Sequence, residues 1–198
     1  LRVTEPRLKN ELLNCVANVL DHGRLIEGPE QAEFEQRFAR EIGVKYAIGV
    51  SSGSSALYLA LRSSGIGAGD EVITSPFTWV ITVNAIRATG AKPVFVDIAE
   101  DFNIDVSRIS RAITKKTKAI VPMHVAGHMC DMKSLSRIAK PSSLLIIEDA
   151  AQAFCASLNG KRAGTFSVAA GFSMNPMKIL HAYGEAGVVV TNRKSIFQ

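Results

Sequence analysis

The chain is poor in features that mark several protein classes. Three cysteines, Cys15, Cys130 and Cys155, are spread over 198 residues. A sparse, odd set gives no disulfide framework and fits reduced thiols in a cytoplasmic protein. No apolar run reaches the length of a membrane span, and the stretch from Leu1 does not read as a signal peptide. Neither GxxxxGK(S/T) nor GxGxxG occurs, so the lysine-bearing nucleotide loop and the dinucleotide fingerprint are both missing. Internal repeats, low-complexity tracts and a clear interdomain linker are missing too. Charged residues make up only 21%, but hydrophobic residues reach 47%, which fits a globular chain and not a disordered one.

Charge of neither sign dominates. The formal net charge is +5, and the basic residues are scattered apart from Lys115, Lys116 and Lys118. That short cluster solvates a helix end better than it would grip nucleic acid, so neither a nucleic acid nor a membrane is expected as partner. A basic balance favours an anionic small substrate.

What is present is an alternation of apolar strands and helices. Strands are expected at residues 45–50, 70–75, 92–98, 118–124, 143–149, 166–173 and 186–192. Helices are expected after the first strand, over 78–90 ending at Gly90, over 105–113, and over 131–140 behind a capping Asp131. Such alternation implies an α/β fold with a mostly parallel seven-stranded sheet flanked by helices. Residues 1–40 read as an N-terminal helical segment, in which EQAEFEQRFAREIG is amphipathic and follows the Gly/Pro loop GRLIEGP; residues 41–198 read as the sheet domain.

In such sheets ligands bind beyond the carboxyl ends of the strands. Three features fall on that rim. SSGSS follows the first strand, where Gly53 permits a tight backbone and Ser54 and Ser55 open a helix as an anion cradle, a serine-rich N-cap with no ligand being the plainer alternative. SPFTW, with Trp79, follows the second. LLIIEDAAQAF drives Glu148 and Asp149 to the end of the fifth. Downstream, Lys178 stands between Pro176, Met177, Ile179 and Leu180, where desolvation would favour Schiff-base chemistry; a snorkelling surface lysine is the plainer alternative. A phosphate cradle, a strand-end acid, an aromatic ring and a lysine are the parts a pyridoxal phosphate site needs, the acid holding the ring nitrogen protonated. HVAGHMC gathers His124, His128, Cys130 and then Asp131, but Gly127 breaks the spacing. It is expected to be a structural or pocket-wall loop with no metal.

The strings GRLIEGPEQAEFEQRFA, AIGVSSGSSALYLAL, GDEVITSPFTWVITVNAI, PVFVDI, AIVPMHVAGHMCDM, IIEDAAQAF and FSMNPMKILHAYGEAGVVVTN resemble, in order and spacing, the sugar aminotransferases of the DegT/DnrJ/EryC1/StrS family, a branch of the fold-type I pyridoxal phosphate enzymes. The resemblance spans about residues 5–192. It implies the large domain of that fold, with Lys178 as the Schiff-base lysine and proton shuttle and Asp149 on the pyridine nitrogen. It further implies Gln152 on the ring-oxygen side, Trp79 stacked on the ring, and Ser54, Ser55 and Ser173 on the phosphate, with Gly53 shaping the loop. It implies a homodimer that takes an amino-acid donor, glutamate, and a nucleotide-linked keto sugar. Relatives that dehydrate sugars carry His at the lysine position, so Lys178 argues for transamination.

The chain departs from the family pattern in three places. SGSSAL replaces SGTAAL, Phe154 and Cys155 stand where His-Gly is usual, and GEAG replaces GEGG. Phe154 and Ala186 are expected to alter the pocket wall. The family's smaller C-terminal domain is expected to be absent from this chain, which ends at RKSIFQ.

Overall fold

The computed structural model describes residues 3–198. Helices α1 (Pro6–His22) and α2 (Pro29–Ile42) come first, then β1 (Tyr46–Val50), α3 (Gly53–Ser63), β2 (Glu71–Thr74), α4 (Val80–Ala88) and β3 (Lys92–Phe95). There follow α5 (Val106–Ala112), β4 (Thr117–Ile120), α6 (Met132–Ala139) and β5 (Leu145–Asp149). A hairpin of β6 (Ser157–Leu158) and β7 (Lys161–Arg162) precedes β8 (Ala169–Ser173), β9 (Gly187–Thr191) and the short α7 (Lys194–Phe197).

Seven strands form one sheet in the order β1-β9-β8-β5-β4-β2-β3. Pairings from β8 through β5, β4 and β2 to β3 are parallel. β9 runs antiparallel to both β8 and β1, so it is the one reversed strand in the sheet. This reversal decides where the site lies. The end of β8 and the start of β9 meet at the rim formed by the ends of β1, β2, β4 and β5, because Ser173 and Val50 both pair with Gly187.

Strand side chains alternate between the two faces. Ile73, Ile120, Ile146, Phe172, Val188 and Val190 join a core with Phe38 and Ile42 of α2, Ile109 of α5 and Leu135 of α6. Val72, Ala119, Val121, Ile147, Ala169 and Val189 join the opposite core with Leu57 and Leu61 of α3 and Ile86 of α4. Helix α2 runs past residue 40 and buries Phe38, Ala39 and Ile42, so it is packed into the sheet domain. Helix α1 is capped by Glu5 and closed by Gly23 at φ 68°, yet none of its residues is buried. Its Leu13, Val16 and Leu20 are exposed.

The strand and helix expectations hold, with strands trimmed at their ends. The β6–β7 hairpin was not expected. Its turn residues Asn159 (φ 53°) and Gly160 (φ 75°) both take the left-handed conformation of a two-residue hairpin loop.

Candidate active site

A cavity of about 790 Å³ opens at the carboxyl rim. This is within the range of small-molecule sites, roughly 300–1,000 Å³. Gly53, Ser54, Trp79, Asp149, Gln152, Ser173 and Lys178 all line it.

Asp149 is the last residue of β5 and is buried. Its backbone is stitched to the segment after β4: its N–H donates to the Pro122 carbonyl at 2.9 Å, and its carbonyl accepts from the His124 N–H at 3.2 Å. Its carboxylate accepts from the Ala151 N–H at 3.1 Å on Oδ1 and from the Thr82 hydroxyl at 2.7 Å on Oδ2. Burial pushes its pKa above the usual 3.8, and the hydrogen bonds from Thr82 and Ala151 oppose that rise.

The second acid of the pair has another task. Glu148 faces away from the cavity and is completely buried. It accepts from His124 Nε2 at 3.0 Å, from the Gly164 and Phe166 N–H groups, and from the Ser167 hydroxyl at 2.6 Å. Adjacent strand residues point to opposite faces, so one acid looks into the cavity and its neighbour anchors the loop before β8. His124 is thereby engaged by Glu148, exposed His128 lies 3.4 Å from Asp101, and Asp131 caps α6.

Helix α3 begins at the rim. Ser52 is its N-cap, accepting from the Ser55 N–H at 3.1 Å. The Ser55 hydroxyl turns to Ser51 and Ser52, at 2.9 and 3.1 Å, and Ser55 is not on the cavity wall, whereas Ser52 and Ser54 are. The first amides of a helix lack intrahelical partners and attract anions. Gly53 has a steric reason to be glycine: a Cβ there would sit 2.6 Å from Ser173 Cβ. Gly187 has a stronger one, since its Cβ would meet the Ser52 carbonyl oxygen at 2.2 Å. The two glycines let the α3 start close directly onto the ends of β8 and β9.

Trp79 is the N-cap of α4 and is 67% exposed. At that exposure it is not a core aromatic. Gln152 is fixed by its Oε1, which accepts from the Ala126 N–H at 2.7 Å.

Lys178 sits in the 174–186 loop between β8 and β9. The loop is closed by the Met174 N–H to the Ala186 carbonyl and the Ala182 N–H to the Met174 carbonyl, each 2.8 Å. Asn175 ties its two sides together, accepting from the Met177 N–H at 3.0 Å and donating to Glu185. Of the apolar neighbours in sequence, Met177 is 92% and Ile179 71% exposed, whereas Leu180 packs against the core. Phe154 does not reach the cavity; it packs on Phe38 with ring centroids 5.6 Å apart. Ala186 is likewise off the wall.

Four polar wall residues escaped the sequence reading: Ser52, Thr82, Asn175 and Glu185. Thr82 had a signal, lying one helical turn after Trp79. The other three flank residues already singled out.

The model of the DegT/DnrJ/EryC1/StrS aminotransferase family matches residues 6–198. The dTDP-3-amino-3,4,6-trideoxy-alpha-D-glucose transaminase of Micromonospora megalomicea is 44% identical over 187 residues, covering 94% of this chain and 50% of the relative. Among solved structures, Streptomyces venezuelae DesV superposes with a TM-score of 0.94 at 43% identity, over 97% of this chain and 52% of that one. The Bacillus subtilis NtdA structure with bound cofactor PMP gives 0.91 at 33% identity, over 98% and 44%. The chain spans about half the length of the curated relatives it matches. With the family match running across both cores and every wall residue of the cavity, the chain belongs to the DegT/DnrJ/EryC1/StrS aminotransferase family.

Proposed function

We propose that this chain forms the cofactor-binding part of a pyridoxal phosphate-dependent aminotransferase. It would move an amino group from an amino acid, glutamate, to a nucleotide-linked keto sugar in amino-sugar biosynthesis. The observation that carries the reading is the convergence of Lys178, Asp149, Trp79, Gln152, Ser54 and Ser173 on one cavity. The donor set fits the cofactor: an amine, a buried carboxylate, hydroxyls beside a helix N-terminus, and an exposed indole. The name of the Micromonospora relative supports the sugar substrate, and the bound PMP of NtdA supports the cofactor.

When bound, the cofactor supplies an aldehyde that links amines and a protonated pyridine ring that accepts electrons. The protein's residues would do the rest. Asp149 would hold a proton at the ring nitrogen, and that positive charge would offset the burial that raises its own pKa. Ser54, Ser173 and the first amides of α3 would bind the phosphate. Trp79 would cover the ring face. Lys178 Nζ would carry the cofactor, then act as general base and general acid in both half-reactions, taking a proton from one carbon and delivering it to another.

The reading includes a homodimer in the cytoplasm. Exposed Leu13, Val16 and Leu20 of α1 and Leu25 and Ile26 beyond it support association. The free cysteines Cys15, Cys130 and Cys155 support a reducing compartment. No helix among the described residues is long and apolar enough to cross a membrane.

An absorbance titration with pyridoxal phosphate tests the reading. A visible band that is lost in Lys178→Ala is expected, followed by 2-oxoglutarate release from glutamate when a nucleotide keto sugar is supplied. A colourless protein that assembles normally would reduce the chain to a non-catalytic remnant. Sugar dehydration without 2-oxoglutarate would make it a dehydratase.

A further inference from the structure

The carboxylate of Asp149 has a partner that the proposed chemistry does not use. Thr82, in the first turn of α4, is completely buried, and its hydroxyl lies 2.7 Å from Asp149 Oδ2. Behind it, Thr78 Oγ1 lies 2.7 Å from Thr82 Oγ1 and 2.8 Å from the sulfur of Met123. We propose that Thr82 is a positioning residue, fed by Thr78, that orients the Asp149 carboxylate and favours its charged form.

Proton bookkeeping gives the relay a direction. An ionised carboxylate only accepts, so the Thr82 hydrogen goes to Asp149. Thr82 can then accept from Thr78, whose single hydrogen has two acceptors within reach, Thr82 Oγ1 and the weaker Met123 sulfur. If Asp149 were protonated, the chain could run the other way and end on that sulfur. Hydrogen bonds in such a row reinforce one another, and a charged acceptor strengthens them most. Orientation follows from the same contacts. Oδ1 is held by the Ala151 N–H and Oδ2 by Thr82, so the carboxylate cannot rotate without breaking one of them. The donors come from β5's own continuation and from α4, two elements on different sides of the rim.

Thr82 also joins Asp149 to Trp79. Its N–H donates to the Trp79 carbonyl at 2.9 Å, so one helical turn sets both the exposed indole and the buried hydroxyl. Other titratable groups that bear on Asp149 are Lys178 from the 174–186 loop and His124 from the segment after β4; α4 contributes only hydroxyls.

The role in catalysis rests on the proposed function, but the effect on Asp149 does not, and the test separates them. The protonated carbonyl stretch of Asp149, assigned by its loss in Asp149→Asn, is followed by isotope-edited infrared titration of the cofactor-free protein. In Thr82→Val, which keeps shape and removes the hydroxyl, the midpoint should rise by about one pH unit, a tenfold change in proton affinity. In Thr82→Ser it should stay near wild type. Equal midpoints in all three proteins overturn the proposal, as does an equal rise in the serine variant. Thr78→Val decides the matter if Thr82→Val does not fold: a smaller rise is expected, and an unchanged midpoint overturns the relay. Pyridoxal phosphate is the second probe. Its affinity should weaken in Thr82→Val and recover in Thr82→Ser. Wild-type protein that binds none would sink the functional reading, while the infrared midpoints would still judge Thr82.

Discussion

His124 Nε2 lies 3.0 Å from Glu148 Oε2, and neither side chain is exposed at all. The Cys130 N–H donates to His124 Nδ1 at 3.2 Å, so the ring proton sits on Nε2 and points at the carboxylate. Glu148 thereby gathers donors from the segment after β4 and from the loop before β8. This pair is one residue from Asp149, yet it faces the core. The fold uses two consecutive acids for two purposes, and substitution should separate them.

Glu148→Ala should therefore cost stability first. It leaves the His124 ring N–H and two backbone amides without their acceptor, while the Ser167 hydroxyl keeps the Ala169 carbonyl at 2.9 Å. Each buried donor left without a partner costs about 1–3 kcal/mol, so a total of roughly 3 kcal/mol or more is expected. Urea denaturation of the cofactor-free protein checks this. A loss below about 1 kcal/mol would show that the anchor is dispensable.

Asp149→Asn should do the opposite at neutral pH. Burial raises the folded pKa of Asp149 above 3.8. A raised carboxylate contributes stability that is fully present below its unfolded pKa and lost as pH rises through the folded value. Asn cannot ionise, so the stability of cofactor-free Asp149→Asn relative to wild type should grow from acid toward neutral pH and then level off. With cofactor bound, Lys178 would still form its linkage, but proton transfer should slow by about 10²-fold or more. Urea melts across pH read the first effect and single-turnover kinetics the second. A pH-independent difference in stability would contradict the burial argument.

Trp79→Ala should damage binding and spare the fold. The indole is 67% exposed, so its loss opens no core cavity. Offset stacking is worth roughly 0.5–1.5 kcal/mol, and the upper end is about a tenfold loss of cofactor affinity. Trp79→Phe should recover most of it. Thermal melts without cofactor should nearly coincide for all three proteins. A large destabilisation with unchanged affinity would remove the stacking role.

Much of this architecture was legible in the sequence because buried parallel strands read as continuous apolar runs, as in LLIIED. Asp149 was legible because an acid at the end of such a run needs a reason to be there. Glu148 was not, because its acceptors' partners come from residues 124 and 164–167, which only the fold brings together. Apolar periodicity also cannot reveal strand direction, so the reversal of β9 was hidden, and with it the reason Lys178 crosses the rim. The β6–β7 hairpin strands are too short to show alternation, although the Asn159-Gly160 pair between them is a hairpin signal. Lys178 misled in one respect: its immediate neighbours Met177 and Ile179 are exposed while Leu180 packs against the core, since an irregular loop does not carry a strand's or helix's periodicity.

Gly53 offers a test of the junction that shapes the cradle. A methyl group at this position would lie 2.6 Å from Ser173 Cβ, 2.9 Å from its Oγ and 3.0 Å from its Cα. The last of these is backbone in β8, which is paired on both sides and cannot yield alone. Gly53→Ala should therefore push the start of α3 off the sheet, at a cost of about 1–3 kcal/mol for overpacking. Cofactor affinity should fall with it, because the α3 amides would leave their place beside Ser173. Ser173→Gly removes the Cβ and Oγ that clash, so the double variant should regain part of the stability lost by Gly53→Ala. It should not regain affinity, since the Ser173 hydroxyl is gone. Coupling between contacting sites runs about 0.5–3 kcal/mol, well above the scatter expected for independent ones. Stabilities that simply add across this cycle would show that Gly53 is not held to glycine by Ser173.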